Sequence, residues 1–325
     1  MTGSDSEHVI LTEKLTKTYG RDRGILALDL DVHRGEVFGF LGPNGAGKTT
    51  TIRTMLDLLH PTSGRALLFG MDTRRDSVAI RARLGNLPGE FALEDRMTGV
   101  QLLRFFGRLR GTTDLSYARV LAERLDADLT RPMRQLSRGN KQKIGLIQAM
   151  FHRPDLLILD EPTGGLDPLV QEEFVKLMDE WRAEGRTVFL SSHVLSEVER
   201  VCDRVALVRE GELAALETTD SLISKRFRRM TLTFAQPVDP APFAALPGTA
   251  DVHSSGNTVS LVVRSGLDSV VKLAARYVLV DLDFERPSLE EVFLTYYGNS
   301  HGDAPVAAPA GGRGGATPAE GGGAR

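Results

Sequence analysis

The sequence predicts an α/β fold: a parallel sheet core with an antiparallel β edge and a helical subdomain, followed by a small C-terminal α+β domain. Three observations indicate this class. A glycine-rich loop, Gly42 to Thr50, lies between an apolar run of strand length and a helical stripe. A second apolar run, Leu156 to Leu159, is followed by a helical pattern and then by a third apolar run. The order strand, helix, strand is typical of a parallel sheet, and the chain beyond about residue 225 forms a separate block of short strands and helices.

The composition is that of a globular protein with one large and one small domain. The chain has 325 residues, 41% of them hydrophobic and 26% charged. Forty basic and 43 acidic residues give a net charge of −3, so no nucleic-acid partner is expected. The single cysteine, Cys202, excludes an internal disulfide and a cysteine cluster for zinc, and favours a cytosolic location. Apolar runs are far shorter than the ~20 residues that cross a bilayer, so we expect a partner to supply any membrane span.

Two strand-like segments precede the glycine-rich loop, Val9 to Leu15 and Ile25 to Val32. The polar residues 19–24 between them predict a turn, so these segments form the expected antiparallel edge. Tyr19 lies at this turn, exposed enough for its ring to stack on an adenine base. A tyrosine after a strand also often packs half-buried, and the residues alone leave both interpretations open. Another strand is predicted at Arg65 to Phe69, after the first helix.

The glycine-rich loop fits the phosphate-binding pattern G-x-x-x-x-G-K-[ST]. The strand Val37 to Leu41 precedes it, and a helical stripe with Ile52, Met55, Leu56 and Leu59 follows. Its glycines let successive backbone N–H groups point inward, and the helix adds its positive dipole end. Lys48 is expected to reach the outer phosphates of a nucleotide, and the Thr49 hydroxyl to bind Mg²⁺. The predicted nucleotide-binding residues are Gly42, Pro43, Asn44, Gly45, Ala46, Gly47, Lys48, Thr49 and Thr50.

From about residue 90 to 153 the pattern becomes helical and predicts a subdomain inserted between strands. Its first helix begins with a capping box formed by Thr98 and Gln101. The apolar face of that helix is expected to contain Leu102, Phe105, Phe106 and Leu109. A second helix is predicted from Tyr117 to Leu125.

Two adjacent carboxylates, Asp160 and Glu161, end the second apolar run. Asp-Glu-Pro after a strand is also a common turn, but the phosphate loop changes the interpretation. Asp160 at the carboxyl end of a parallel strand would hold Mg²⁺ through water. Glu161 would accept a proton from an attacking water, so the pair indicates nucleotide hydrolysis. A helix around Glu172 to Glu184 and a strand at Thr187 to Leu190 are predicted next.

The end of the chain predicts an accessory α+β domain over residues 225–298. A hairpin from Val205 to Leu216 precedes it, and a basic run at 225–229 is either a solvated linker or a contact for acidic lipid or another subunit. The predicted elements are strands at 230–234, 259–263 and 279–284 and helices at 267–276 and 288–291. From 301 to 325, 18 of 25 residues are Gly, Ala or Pro, which predicts a disordered tail.

Five motifs in order resemble those of the ATP-binding subunits of ABC transporters: the phosphate loop, Leu136 to Asn140, Leu156 to Glu161, Gly165 to Pro168, and His193. The resemblance covers about residues 8 to 220. It implies a P-loop NTPase fold of ABC type that binds ATP and Mg²⁺. It further implies adenine stacking by Tyr19, magnesium binding by Asp160 with Thr49, a general-base role for Glu161, a γ-phosphate contact for His193 and a dimer-loop role for Asp167.

The segment Leu136 to Asn140 departs from the family's Leu-Ser-Gly-Gly-Gln at its third and fifth positions. The resemblance implies that Ser137, Gly139 and Asn140 bind the ATP held by the opposite subunit, so that a homodimer shares two nucleotides. Ser137 is at the same time an ordinary N-cap for the helix that follows.

A second departure is at residues 87–90, where the family usually has a glutamine and this chain has Gly89. That glutamine normally helps to hold magnesium and water and links the site to the membrane subunit. We hypothesise that the neighbouring Glu90 takes part of this role, because a glycine frees the backbone to turn. A solvated glutamate in a flexible loop is the alternative.

The expected function is an ATPase, converting ATP and water to ADP and phosphate, that powers drug, antibiotic or lipid export through a separate membrane permease at the cytoplasmic face of the membrane. The region after about residue 225, which ends in the segment Pro287 to Leu294, resembles the accessory domain of daunorubicin-resistance-type exporter ATPases. One alternative is a soluble ABC ATPase that acts on ribosomes or DNA. Such proteins usually carry two ATPase cores, or zinc or coiled-coil insertions, whereas this chain has one phosphate loop. A nucleotide-sensing regulator that does not hydrolyse ATP is disfavoured by Glu161. Steady release of phosphate would distinguish an ATPase from such a regulator.

Overall fold

The computed structural model describes residues 8–20, 22–89, 96–224 and 228–285, and the structural statements below concern these residues. The strands are β1 His8–Tyr19, β2 Asp22–His33, β3 Val37–Leu41, β4 Ser63–Leu68, β5 Met71–Asp72, β6 Leu84–Leu87, β7 Leu156–Asp160, β8 Thr187–Ser192, β9 Arg204–Arg209, β10 Glu212–Thr218, β11 Arg228–Phe234, β12 Thr249–Ser255, β13 Thr258–Val263 and β14 Leu279–Glu285. The helices are α1 Lys48–Met55, α2 Ser77–Ala82, α3 Gly99–Leu109, α4 Ser116–Arg124, α5 Arg138–Met150, α6 Pro168–Ala183, α7 Leu195–Val201, α8 Thr219–Ser224, α9 Ala241–Ala244 and α10 Leu267–Ala274, with a 3₁₀ turn at Met133–Gln135. Within these ranges no helix has the length and apolar character needed to cross a bilayer.

A six-stranded sheet forms the centre of the fold. Its order is β10-β9-β3-β8-β7-β6, in which β10 is antiparallel and the other strands are parallel to one another. Every residue of β3, β7 and β8 is buried. Such continuous burial is typical of a parallel sheet covered on both faces. The predicted parallel core is therefore confirmed.

Side chains of the central strand alternate between two hydrophobic cores. Phe38 and Phe40 pack on the side of the antiparallel strands, whereas Val37 and Leu41 pack on the side of the long helices, together with Trp181 of α6. This alternation is the period of two that a strand imposes on its side chains. Packing on both faces holds β3 between the antiparallel strands and the long helices, and so determines where the loop after β3 begins.

The antiparallel strands near the N-terminus form a sheet of their own, in the order β2-β1-β4-β5. They cover one face of the parallel sheet through the core that contains Phe38, and the antiparallel edge of the parallel sheet itself is β10. β1 and β2 are longer than the predicted segments 9–15 and 25–32. Their outer residues are mostly polar, so the apolar pattern that predicted the strands stopped short of their ends.

The helical subdomain begins with the predicted capping box. Thr98 Oγ1 accepts from the Gln101 N–H at 3.3 Å, and Gln101 Oε1 accepts from the Thr98 N–H at 2.9 Å. The predicted apolar face of α3 is wrong in part, because Phe105 and Leu109 are 47% and 68% exposed. Leu103 takes their place in the core with Leu102. The start of the predicted subdomain, residues 90–95, lies outside the described residues.

Several short elements were not predicted. β6 pairs in parallel with β7 and leads directly into Pro88 and Gly89. Only four residues long, it contains Gly85 and Asn86, which are uncommon in strands, and these features hid it in the sequence. The helix α2 is also short, and the strand β12 is mostly polar.

The C-terminal strands form an antiparallel sheet in the order β12-β13-β11-β14. Its own core gathers around Phe234 and Phe243, with Val270 of α10. The predicted helix 267–276 ends at Ala274. The domain boundary near residue 225 stays a prediction. The predicted helix at 288–291, the tail at 301–325 and residues 225–227 of the basic run lie outside the described residues.

Phe189 of β8 offers a test of the packing between the two sheets. Its ring is fully buried, with centroids 5.7 Å from Phe38 and 5.4 Å from Phe40. We expect Phe189→Ala to lower the free energy of unfolding by ~3–5 kcal/mol, because it removes a large side chain from a closed core. Urea unfolding followed by fluorescence of Trp181, the single tryptophan, measures the loss. The half-exposed Phe105→Ala is the control, and an equal loss in both variants would contradict the packing described.

Candidate nucleotide-binding site

The phosphate loop connects the end of β3 to the start of α1. Gly47 is the N-cap of α1 with a φ of 100°, a left-handed conformation that favours glycine. A Cβ at Gly47 would also lie 2.6 Å from the carbonyl oxygen of Gly24 in β2. From the β9–β10 turn, the Gly211 N–H donates to the Ala46 carbonyl at 3.1 Å. Two neighbouring segments thus hold the loop against the N-terminus of α1, an arrangement that favours an anion.

Lys48 is the buried cation of the site, with 6% of its side chain exposed. Its Nζ donates to the carbonyl oxygens of Gly42 at 2.7 Å and Pro43 at 3.2 Å. The same atom lies 3.3 Å from Glu161 Oε1. The ammonium group therefore joins the phosphate loop to the carboxylate that follows β7.

Asp160 is almost fully buried and is held from two sides. Thr49 Oγ1 donates to Asp160 Oδ2 at 2.8 Å, and Ser191 Oγ donates to Asp160 Oδ1. A hydroxyl and a carboxylate in contact are oxygen donors of the kind that Mg²⁺ takes. The two residues predicted to bind magnesium are thus brought together, and the donor set fits the ion.

Glu161 occupies a left-handed backbone conformation with a φ of 51°. Its N–H donates to the carbonyl and the hydroxyl oxygen of Ser191, at 3.2 and 3.1 Å. Gln142 Nε2, from α5, donates to the carbonyl oxygens of Glu161 and Pro162 at 3.1 and 3.0 Å. The carboxylate Oε2 lies 2.8 Å from Nδ1 of His193, whose side chain is 51% exposed. A strained conformation of this kind costs ~1–3 kcal/mol and persists only where surrounding contacts fix it.

Ser191 and Gln142 were not identified from the sequence. Ser191 is paired with Asp160 in the parallel register of β7 and β8. Both strands were predicted, so pairing their carboxyl ends could have identified Ser191 as a neighbour of Asp160. Gln142 is 6% exposed. The helical pattern gave no indication of its role, because its partners are about 20 positions away in the chain.

These groups line a cavity of about 610 Å³. The predicted residues that line it are Tyr19, Asn44, Gly45, Gly47, Lys48, Thr49, Thr50, Asp160, Glu161 and His193, together with Gly89. Tyr19, 44% exposed, is at its border with Lys17 Nζ 5.4 Å from the ring centroid. Gly42, Pro43 and Ala46 support the loop from outside the lining. Gly24, Arg53, Arg138, Gln142 and Gly164 also line the cavity and were not predicted to do so.

The predicted contacts to an opposite subunit lie around the start of α5. Ser137 caps the helix by accepting from the Asn140 N–H at 3.2 Å. The Asn140 amide accepts from the Asp128 N–H at 2.9 Å and donates to the Asp128 carbonyl at 3.0 Å. Ser137, Gly139 and Asn140 do not line the cavity of their own chain. The structure thus gives the Asn140 side chain a bracing role, and a contact with a second subunit's nucleotide stays a prediction.

Asp167 is the N-cap of α6 and accepts from the Val170 N–H at 3.0 Å. That hydrogen bond lowers the pKa of Asp167, and the nearby Lys143 ammonium, 3.7 Å away, acts in the same direction. Lys143 is buried and also donates to the Asp126 carbonyl at 3.1 Å. The predicted dimer-loop residue is therefore tied to α5 within its own chain.

The chain is similar to known proteins in sequence and fold. The family model for ABC transporters matches residues 25–164, a range that contains the phosphate loop and the pair Asp160 and Glu161. The probable multidrug ABC transporter ATP-binding protein YbhF of Escherichia coli is 40% identical over 225 residues. That match covers 68% of this chain and 39% of YbhF, so the chain spans about two fifths of that relative's length.

Another relative matches along nearly its whole length. The daunorubicin resistance ATP-binding protein DrrA3 of Streptomyces coeruleorubidus is 34% identical over 307 residues, which cover 90% of this chain and 97% of DrrA3. A solved structure of the ATP-binding subunit of an ABC transporter has a TM-score of 0.61 and 29% identity, covering 66% of this chain and 91% of that one. With its phosphate loop, its carboxylate pair and its parallel sheet, the chain belongs to the ABC transporter ATP-binding family and has the fold of an ABC-type P-loop NTPase.

Proposed function

We propose that this chain binds ATP with Mg²⁺, hydrolyses it to ADP and phosphate, and powers drug, antibiotic or lipid export through a separate membrane permease. The observation that carries the proposal is the position of the Glu161 carboxylate. It lies 3.3 Å from Lys48 Nζ and 2.8 Å from His193 Nδ1, in the wall of the cavity that contains the phosphate loop. A base, a phosphate-binding cation and a polar switch residue thus meet where a terminal phosphate would lie.

Each residue of the site has its own role in the proposed reaction. The loop N–H groups, the α1 dipole and Lys48 bind the phosphates, and Tyr19 stacks on the adenine. Asp160 and Thr49 would hold Mg²⁺, which would supply positive charge to the phosphate oxygens. Glu161 accepts the proton of the attacking water while the bond between the γ-phosphorus and the bridging oxygen breaks. His193 orients the Glu161 carboxylate and contacts the γ-phosphate.

Hydrolysis is proposed to require a homodimer. The residues Ser137, Gly139 and Asn140 stand at the start of α5, where first-turn N–H groups of a helix have no partner within the helix. Ser137 and Arg138 are exposed there. A second subunit's ATP placed against this start would complete the pair of shared sites, with Asp167 in the facing loop.

A permease is proposed to dock beside the loop that contains Gly89. An apolar cleft of about 400 Å³ is lined there by Leu58, Leu84, Leu87, Pro88 and Phe106, among others. Leu58 is 60% exposed. Gly89, next to this cleft, approaches the magnesium-binding carboxylate: a Cβ at Gly89 would lie 2.9 Å from Asp160 Oδ2. The loop therefore connects a docking cleft to the nucleotide site. This placement, with the names of the relatives YbhF and DrrA3, supports a location at the cytoplasmic face of the membrane.

The Glu161→Gln variant tests the proposed hydrolysis. It keeps the shape of the site and removes the base, so turnover is expected to fall by about 10²- to 10⁴-fold while ATP affinity stays within a few-fold. With ATP and Mg²⁺ the variant is expected to accumulate as a dimer of twice the 35.5 kDa chain mass, measured by light scattering after size exclusion.

Glu123→Gln on the exposed side of α4 is the matched control and should keep wild-type turnover. Undiminished hydrolysis by Glu161→Gln would contradict the proposed base. If that variant loses turnover but stays monomeric at saturating ATP, the base is retained and the shared-site dimer is wrong.

The Gly89→Ala variant tests the contact between this loop and the magnesium site. The new Cβ would press on a carboxylate that Thr49 and Ser191 already fix. We expect the Mg²⁺ concentration for half-maximal hydrolysis to rise about tenfold, equivalent to ~1.4 kcal/mol of lost binding. Nucleotide binding without Mg²⁺ should not change.

The control for this variant is Gly256→Ala, in the β12–β13 turn, where a Cβ has no neighbour within 4 Å. Its φ of 58° disfavours alanine, so this variant is expected to lose some stability and to keep the wild-type magnesium dependence. Equal magnesium dependence in Gly89→Ala and wild type would show that the loop does not act on Asp160. The role hypothesised for Glu90, which lies outside the described residues, would then lose its structural basis as well.

A photo-crosslinking amino acid at Leu58 tests the proposed partner. In membranes of the producing cell it is expected to capture an integral membrane protein with several spans, because Leu58 lines the proposed docking cleft. The same group at Val278, which is 73% exposed in the C-terminal unit, is the control. Capture of a ribosomal protein or of a DNA-associated protein at Leu58 would favour the soluble ABC ATPase alternative.

A further inference from the structure

Two histidines and an aspartate meet where β1 begins and β2 ends. Asp31 and His33 are two residues apart on β2, so they face the same side, and they alternate with the buried Leu30 and Val32. His8 pairs with His33 across the two strands. A register shift between His8 and Ile10 produces this pairing. The hairpin geometry therefore collects three potential metal ligands on one outer face.

The donor atoms of these three residues are close enough to share one ion. All three lie within 4.8 Å of one another. His33 Nε2 is 3.2 Å from Asp31 Oδ2, and His8 Nδ1 is 3.9 Å from the same oxygen. In a tetrahedral zinc site, bonds of about 2.0–2.1 Å place the ligand atoms about 3.3 Å apart. The shortest separation already matches this distance, and no separation needs to shorten by more than ~1.5 Å.

We propose that His8, Asp31 and His33 bind a divalent transition metal ion of the zinc class, with water as the fourth ligand. Imidazole nitrogen and carboxylate oxygen together suit such an ion, whereas Mg²⁺ and Ca²⁺ prefer oxygen alone. All three side chains are between 33% and 40% exposed, and His8 Nδ1, which faces Asp31, is itself shielded from solvent.

The surrounding charges permit a cation despite a nearby arginine. Arg204 Nη2 lies 3.4 Å from Asp31 Oδ2, and Arg204 Nη1 lies 3.1 Å from Glu36 Oε1. The carboxylates of Asp31 and Glu36 thus share the single positive charge of Arg204. With both imidazoles neutral, this group of side chains has a net charge of about −1. Arg204 holds the Asp31 carboxylate in place, as groups outside the ligand shell often do for metal ligands.

This site is distinct from the nucleotide cavity. His33 precedes β3 by a short turn, whereas the phosphate loop follows the other end of that strand. Five residues of strand separate the two ends by roughly 16 Å. A metal bound here links the first strand of the chain to the second, so its expected effect is on stability and not on hydrolysis.

Calorimetric titration with ZnCl₂ tests the proposal on the full chain, with any affinity tag removed, treated with EDTA and free of nucleotide. One Zn²⁺ per chain is expected to bind to these residues, with at least tenfold weaker binding in His8→Ala, His33→Ala and Asp31→Asn. The melting temperature should rise with zinc in the wild type and not in these variants. Bound Co²⁺ should give the visible absorption of a tetrahedral site.

His60→Ala is the matched control. His60 Nδ1 also lies 3.2 Å from an aspartate, Asp57 Oδ1, but in the described part of the chain this pair has no third ligand residue within reach. His193→Ala is the second control and shows whether zinc enters the nucleotide cavity. Both should keep the titrated site. Stoichiometric zinc binding that survives in His8→Ala and His33→Ala, or the absence of zinc binding in the wild type, overturns the proposal.

Discussion

The register of three parallel strands is the constraint on which the site depends. β8 pairs with β3 on one side and with β7 on the other, so that Leu41 lies beside Ser192 and Asp160 beside Ser191. The loop is more than 100 residues away in the chain from both the carboxylates and the histidine, and this pairing brings their strand ends to one edge. Ser191 completes the arrangement, because its hydroxyl bonds Asp160 while its main chain holds Glu161. A one-residue slip would turn every one of these side chains to the other face.

The parts of the fold that the sequence predicted are those in which local pattern and burial agree. β3 and β7 are uninterrupted apolar runs because both faces of the sheet are covered, and the capping box of α3 is a local hydrogen-bond pattern. β6 and the ends of β1 and β2 lack such patterns. Phe105 was expected in the core because helical periodicity identifies an apolar face but not the width of the neighbour that covers it. Gln142 and Asn140 acquire their roles from partners that only the tertiary fold brings near.

The helix α5 contributes residues to the site from two successive turns. Its first turn presents Ser137 and Gly139, the residues proposed to meet a second subunit's ATP, and one turn later Gln142 binds the main chain of Glu161. The positive φ of Glu161 is unfavourable for a residue with a side chain, so this hydrogen bond and those to Ser191 define where the carboxylate points. Any shift of α5 relative to the sheet would therefore act directly on the residue proposed as the base.

Lys48 connects the proposed ligand binding of this loop to its stability. A buried ammonium group costs several kcal/mol unless it is paired and hydrogen-bonded. Two loop carbonyls and Glu161 provide those partners, so the charge proposed to attract phosphate also holds the loop to the end of β7. Since the loop carbonyls are fixed by β3 and Gly47 by its contact with β2, the ammonium has one position that satisfies all its neighbours. That position faces the cavity, which makes the proposed phosphate contact a consequence of how the chain stabilises its own buried charge.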